Sequence, residues 1–248
     1  MTLHGILFDK DGTLIDFDGT WGPAAYRVMR TMSRGDERVF MRLVEVSEYE
    51  LEGRRFRPSS PLVAGSSAEY GPAWAAALGR PDTPELYREM DELFLRFGLE
   101  SVAPIGEPAA VTGALRAAGL RLGIATNDAE ASARAQAAVL GLSDHLDYVA
   151  GYDSGYGGKP APGMVLAFAE AIGVPASSIA MIGDSVHDLV AARRAGAVAV
   201  LVLTGPLGQA ARADLAPHAD HVIGSIADLP ALVESLRANA SPSCSPIS

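Results

Sequence analysis

Residues 179–203 read Ile179-Ala-Met-Ile-Gly-Asp-Ser-Val-His-Asp-Leu-Val-Ala-Ala-Arg-Arg-Ala-Gly-Ala-Val-Ala-Val-Leu-Val-Leu203. A short apolar run ends at Gly183 and gives way to a polar turn at Asp184-Ser185. A helix-compatible stretch then stops at Gly196, and Val198–Leu203 is apolar throughout, as expected of a strand covered on both faces. Glycine just past the end of the helix follows the usual capping asymmetry. The same strand–helix unit recurs upstream. Leu120–Ala125 predicts a strand, Asp128 a helix cap, and Gly141 the end of that helix. Leu146–Ala150 predicts a further strand, followed by a helix opening at Pro162 and stopping near Gly173. Residues 3–8 (Leu-His-Gly-Ile-Leu-Phe) add a buried strand running into Asp9-Lys10-Asp11-Gly12-Thr13. Repeated βα units imply a doubly wound parallel α/β sheet with right-handed crossovers.

Between residues 16 and 104 the alternation disappears. Leu86, Met90, Leu93, Phe94 and Phe97 fall on one helical stripe; Val39, Phe40, Leu43 and Val44 suggest a second, and Trp21, Ala25, Val28, Met29 and Met32 a third. An insertion of this size is too long for a loop and predicts a helical cap. The expected organisation is a discontinuous core of residues 1–15 and 105–238, a cap over 16–104, and a disordered Ser/Pro-rich tail over 239–248. Hinges are expected near Asp16–Gly19 and Val102–Gly106.

The chain has 248 residues, 30 acidic and 20 basic side chains, and a formal charge of −10. A groove tracking nucleic-acid backbone needs clustered basic residues, and this balance speaks against one. No apolar run approaches a membrane span. A single cysteine, Cys244, and no basic-then-apolar leader predict a cytoplasmic protein. Lysine occurs only at Lys10 and Lys159, every other basic residue being arginine.

Ligands of an open α/β sheet gather beyond the carboxyl ends of the strands. Asp9 and Asp11, Thr126-Asn127-Asp128, Lys159, and Asp184 with Asp188 would converge there from four distant segments. Extended residues i and i+2 point the same way, so Asp9 and Asp11 can face one pocket while Lys10 points away. Two close carboxylates favour either a hard divalent cation or a shared proton for acid–base work. Lys10 is expected to be solvated or to face the cap, and His187 to be a surface helix residue rather than a ligand.

In order, Asp-Lys-Asp-Gly-Thr-Leu, Ala-Thr-Asn, Gly-Lys-Pro and Ile-Gly-Asp-Ser-Val-His-Asp resemble the four motifs of the haloacid dehalogenase superfamily. Within it, the chain is similar to the phosphoglycolate-phosphatase-like branch, with a helical cap after strand one. The resemblance implies a Mg²⁺-dependent phosphomonoester hydrolase of a small soluble phosphorylated metabolite. Asp9 would be the nucleophile, forming an aspartyl-phosphate, and Asp11 the general acid and base. Asp9, Asp184 and the main-chain carbonyl of Asp11 would hold Mg²⁺, with Asp188 in support. Thr126, Asn127 and Lys159 would bind the phosphoryl group. In the cap, Arg54, Arg55 and Arg57 could meet an anionic substrate tail. A phosphosugar mutase would share all four motifs. A 2-haloacid dehalogenase would need neither Asp11 nor Asp184, and a degenerate phosphate-sensing domain should have lost one of Asp9, Asp11, Lys159 or Asp184, none of which is missing. Neither a nucleic acid nor a membrane is an expected partner, and the protein is expected to be a monomer or homodimer.

Overall fold

The computed structural model describes residues 2–64 and 67–238; the expected disordered tail over 239–248, with Cys244, lies outside the described residues. In chain order, β1 (Gly5–Phe8) precedes α1 (Phe17–Met32), α2 (Glu37–Val46), the strands β2 (Tyr49–Glu50) and β3 (Arg55–Phe56), α3 (Pro61–Ala64), α4 (Ser67–Leu78) and α5 (Pro84–Glu100). There follow α6 (Pro108–Ala117), β4 (Arg121–Ala125), α7 (Glu130–Val139), β5 (Tyr148–Ala150), α8 (Gly163–Ile172), β6 (Ile179–Gly183), α9 (Val186–Ala195), β7 (Val198–Val202), α10 (Arg212–Leu215), β8 (His221–Ile223) and α11 (Leu229–Ala238). The chain forms two compact units, residues up to Leu14 with those from Pro104 onward, and Ile15–Ala103.

In the first unit six parallel strands run in the order β5-β4-β1-β6-β7-β8. The order reverses on either side of β1, so the end of β1 is a topological switch point. Alternate residues feed opposite faces. Ile6, Phe8, Leu122, Ile124, Val198 and Val200 pack with Val111, Leu115, Ala133 and Val233 of α6, α7 and α11. Leu7, Met181, Ala199 and Leu201 pack instead with Met164, Phe168 and Leu189 of α8 and α9. The unbroken apolar run in β7 thus serves two cores, the sequence pattern expected of a strand buried on both sides. Each fully buried side chain of this size contributes roughly 1.5–3 kcal/mol by leaving water.

The second unit has its own core, centred on Trp74, Phe40, Met29, Leu43, Leu86 and Met90, all at most 1% exposed. Its helices start where short polar side chains can cap them. Asp36 accepts from the amides of Arg38 and Val39 at 2.8 and 3.1 Å, and Thr83 precedes Pro84 at the start of α5. Two buried polar groups are satisfied within the core: Trp74 Nε1 donates to Ser47 Oγ at 3.0 Å and the Tyr49 hydroxyl donates to the carbonyl of Gly22 at 2.7 Å. Several elements escape a reading by pattern, among them α4 and α11. So do β8, α6 and the β2–β3 pairing inside the helical insertion.

Candidate active site

The carboxyl ends of β1, β4 and β6 deliver Asp9, Thr126 and Asp184 to one edge of the sheet, and the turn before α8 delivers Lys159. Carboxylate oxygens of Asp9, Asp184 and Asp188 all lie within 4.8 Å of one another. The Lys159 ammonium donates to Asp9 Oδ1 at 2.5 Å and to Asp188 Oδ1 at 2.6 Å. Asp188 is fully buried, and its other oxygen accepts from the Ser185 amide (3.1 Å) and hydroxyl (2.6 Å) at the start of α9. Lys159 is itself held from behind. Asn127 Oδ1 accepts from its amide at 2.8 Å, and Asn127 Nδ2 donates to its carbonyl at 2.9 Å. Thr126 is buried, and its hydroxyl oxygen accepts from the Asp128 amide at 3.0 Å.

Three carboxylates share one ammonium, and the electrostatics register the shortfall. Burial, opposed by Lys159 and reinforced by Asp188 and Asp11, pushes the Asp9 carboxyl up to about 7. Burial, with Asp9 and Asp188 adding to it, likewise raises Asp184 well above the ordinary carboxylate range. Burial works against the charged form of Lys159, yet Asp188 and Asp9 outweigh it and keep the ammonium charged. An all-oxygen, net-negative donor set of this kind fits a hard divalent cation. The backbone leaves room for the Asp184 carboxylate. A Cβ on Gly12, at φ +80°, would stand 2.6 Å from Asp184 Oδ2, and one on Gly205 only 1.9 Å from the same atom. Thr204 Oγ1 donates to the Gly12 carbonyl at 2.7 Å, tying the β7 loop to the first motif. Neither Thr204 nor Gly205 was legible as a site residue, since their contribution is a tether and an absent side chain.

Two expectations are corrected. Lys10 is neither solvated nor turned toward the insertion; it is 1% exposed, with its ammonium 2.7 Å from Asp11 Oδ2, 3.0 Å from Asp128 Oδ2 and 2.7 Å from Gln136 Oε1. Burial opposes its charge, but Asp11 and Asp128 prevail and hold its pKa above the ordinary lysine range. The Asp11 carboxylate contacts Lys10, and its charge is also felt at Asp9. Asp128 does not cap α7, whose N-cap is Ala129; its Oδ1 accepts from the Ala129 amide at 2.7 Å and its Oδ2 faces Lys10. The reason is geometric. Alternation along the strand turns Lys10 away from Asp9, and that direction leads inward to α7 rather than to water.

His187 is half-buried on α9 and outside the acidic cluster. In the second unit, Arg54, Arg55 and Arg57 are exposed around the β2–β3 pair. Arg55 Nε pairs with Glu50 Oε2 at 2.7 Å, Arg57 Nε lies 3.7 Å from Glu50 Oε1, and the Arg54 guanidinium stacks 4.6 Å over the Tyr26 ring. Asp16 accepts from the Gly19 amide at the start of α1, and Asp18 accepts from the Phe56 amide at 3.2 Å.

The chain matches the haloacid dehalogenase-like hydrolase family over residues 3–196. It is 30% identical over 206 residues to a phosphoglycolate phosphatase of Rhodospirillum rubrum, covering 81% of this chain and 79% of the relative. The fold superposes on CbbY from Rhodobacter sphaeroides, solved in complex with phosphate, with a TM-score of 0.64 at 20% identity over 92% of this chain and 96% of that one. A predicted phosphoglycolate phosphatase of Haemophilus somnus gives a TM-score of 0.68 at 17% identity, over 93% and 97%. The chain belongs to the haloacid dehalogenase-like hydrolases. It is an enzyme, and its relatives' names place it among the phosphatases of that family. Among the described residues no helix is long and apolar enough to cross a membrane.

Proposed function

We propose that the protein is a cytoplasmic, Mg²⁺-dependent phosphomonoester hydrolase acting on a small phosphorylated metabolite of the phosphoglycolate type. The observation that best supports this reading is the bridge of Lys159 between Asp9 and Asp188 beside Asp184, which combines a nucleophile, a cation suited to a phosphoryl oxygen and a carboxylate metal cradle. Asp9, Asp184 and the main-chain carbonyl of Asp11 would hold Mg²⁺, with Asp188 in support. The ion would supply charge against the equatorial phosphoryl oxygens, the main requirement of phosphoryl transfer. Lys159 engages Asp9 Oδ1, leaving Oδ2 to attack phosphorus. The P–O bond to the substrate breaks as the bond to Asp9 forms, and Asp11 gives its proton to the departing alkoxide. A water then attacks the aspartyl-phosphate, Asp11 takes its proton, and Asp9 is released with inorganic phosphate. Thr126 and Lys159, with main-chain amides near Asn127, steady the transferring group. The core over 1–15 and 105–238 carries this chemistry.

The test is phosphate release by the purified protein from a panel of phosphorylated metabolites, with Mg²⁺ and with chelator. Phosphoglycolate or a similarly small acid phosphate is expected to lead, with chelator abolishing turnover. Inactivity on every member would overturn the reading. At Gly205, an added methyl must displace Asp184, because only 1.9 Å separates them. Gly205→Ala is expected to weaken Mg²⁺ binding and turnover by roughly 10–100-fold; calorimetric titration with Mg²⁺ giving an unchanged affinity would take Asp184 out of the cradle.

Residues 16–104 are proposed to select the substrate and to supply no catalytic group. Arg55 and Arg57 share a single glutamate while exposed, and an arginine has five donors to distribute. Alanine at Arg54, Arg55 or Arg57 is expected to shift relative rates among phosphorylated metabolites while hydrolysis of a small aryl phosphate stays as it was. Equal losses on every substrate, with folding intact, would assign chemistry to this segment instead.

A further inference from the structure

The structure contains a buried cation that the proposed reaction leaves unused. Every basic residue of the chain except two is an arginine, and both lysines are buried against an aspartate of the first motif. Lys159 reaches Asp9; Lys10, 1% exposed, reaches Asp11. An ammonium is a compact point charge where a guanidinium is a broad planar fork, so a tight interior position is where lysine cannot simply be exchanged for arginine. Burying an ammonium and its carboxylate partners carries a desolvation cost, and apolar packing in their place is often as stable or more so. Stability alone therefore does not explain why this charge sits inside the molecule.

The arrangement around Lys10 accounts for it better. Gln136 Oε1 on α7 accepts from Nζ at 2.7 Å, and Asp128 Oδ2, one residue past the second motif, lies 3.0 Å from it. Asp128 is fixed in turn by the Ala129 amide through its other oxygen, and its own amide donates to Thr126 Oγ1. Against these anchors the ammonium presents its remaining reach to Asp11 Oδ2 at 2.7 Å, a charge-assisted contact with a side chain that is one-fifth exposed. We propose that Lys10 is a positioning residue: anchored by Asp128 and Gln136, its buried ammonium holds the Asp11 carboxylate in one orientation beside Asp9 and ties the first-motif loop to the second. The inference rests on the hydrolase reading, in which Asp11 moves the proton.

The test is a double-mutant cycle on phosphate release. Lys10→Met alone could fail to fold because it strands Asp128, so the charge-balanced Lys10→Met/Asp128→Asn is made beside it. Each is expected to lower kcat by roughly 10²-fold, the scale of a catalytic group displaced by about 1 Å, with KM little changed. In an Asp11→Asn background the same changes are expected to alter the residual kcat by no more than about twofold, because the residue they act through is gone. Equal losses in both backgrounds would make Lys10 a loop tether only and overturn the proposal. A crystal structure of either variant gives a readout independent of turnover. Asp11 leaving its present rotamer, or occupying several, is expected; Asp11 unmoved in a single conformer overturns the clamp even where the wild type is active. A wild type inactive on all phosphomonoesters would remove the hydrolase reading, and with it the catalytic role, whatever the crystal showed.

Discussion

Asp9→Asn is expected to abolish phosphate release and to leave the protein folded. Asparagine matches the shape of aspartate but offers no anionic oxygen to attack phosphorus, so no covalent intermediate forms. Its effect on stability has a definite sign. Burial raises the Asp9 carboxyl from 3.8 to about 7, so between those values the folded chain holds a proton that the unfolded chain has lost. Stability contributed by this group is therefore present below pH ~4 and lost as pH rises through about 7. A neutral asparagine escapes that loss. In chelator at pH 8 the variant is expected to melt at or above the wild-type temperature, and added Mg²⁺ should raise the wild type more than the variant. Near-normal turnover of Asp9→Asn at saturating substrate would rule out the covalent route. Melting many degrees below wild type in chelator would show that the carboxylate stabilises the site rather than straining it.

The parts of this fold that the sequence made legible were those with strong periodicity and glycine punctuation. Ile179–Gly183 was read with its final bounds, and the stripes over Leu86–Phe97 and Val39–Val44 are buried faces of α5 and α2. The strand β8 was missed because it is three residues long and only half-buried, so it has no apolar run to announce it. Helix α6 hides for a different reason: its apolar positions are thinned by alanine and glycine, and only Val111 and Leu115 form a stripe. In the site, Asp9, Thr126, Lys159, Asp184 and Asp188 were legible because they lie just past strand ends, in the turn before α8 or in the first turn of α9, all at the expected edge. The Lys10–Asp128–Gln136 group was not. Its members lie up to 126 residues apart, and alternation along a strand tells which way a side chain turns without telling what waits there. The one available signal was composition, two lysines among many arginines.

That same contrast sets the second large effect. Lys159→Arg would pass unnoticed at most surface positions of this arginine-rich chain, yet here it is expected to lower kcat by roughly 10²-fold or more. The ammonium fits between Asp9 Oδ1 and Asp188 Oδ1 at 2.5 and 2.6 Å, with its side chain 4% exposed. Its main chain cannot retreat to admit a larger head, because Asn127 grips both the amide and the carbonyl. A guanidinium is wider and distributes its charge over three nitrogens, so it must either push Asp9 off the line of attack or swing its own charge away from the phosphoryl oxygens. Either displacement acts on the reacting atoms, and kcat should fall more than KM rises. Asn127→Ala supplies the complementary case, since it frees the Lys159 main chain while keeping the ammonium. Combining it with Lys159→Arg should recover part of the lost rate, the loosened loop letting the larger head group settle. Turnover of Lys159→Arg within a few-fold of wild type would place Lys159 outside the contacts made to the transferring phosphoryl group. A double variant slower than Lys159→Arg by the full Asn127→Ala factor would show that the clamp and the head group act independently.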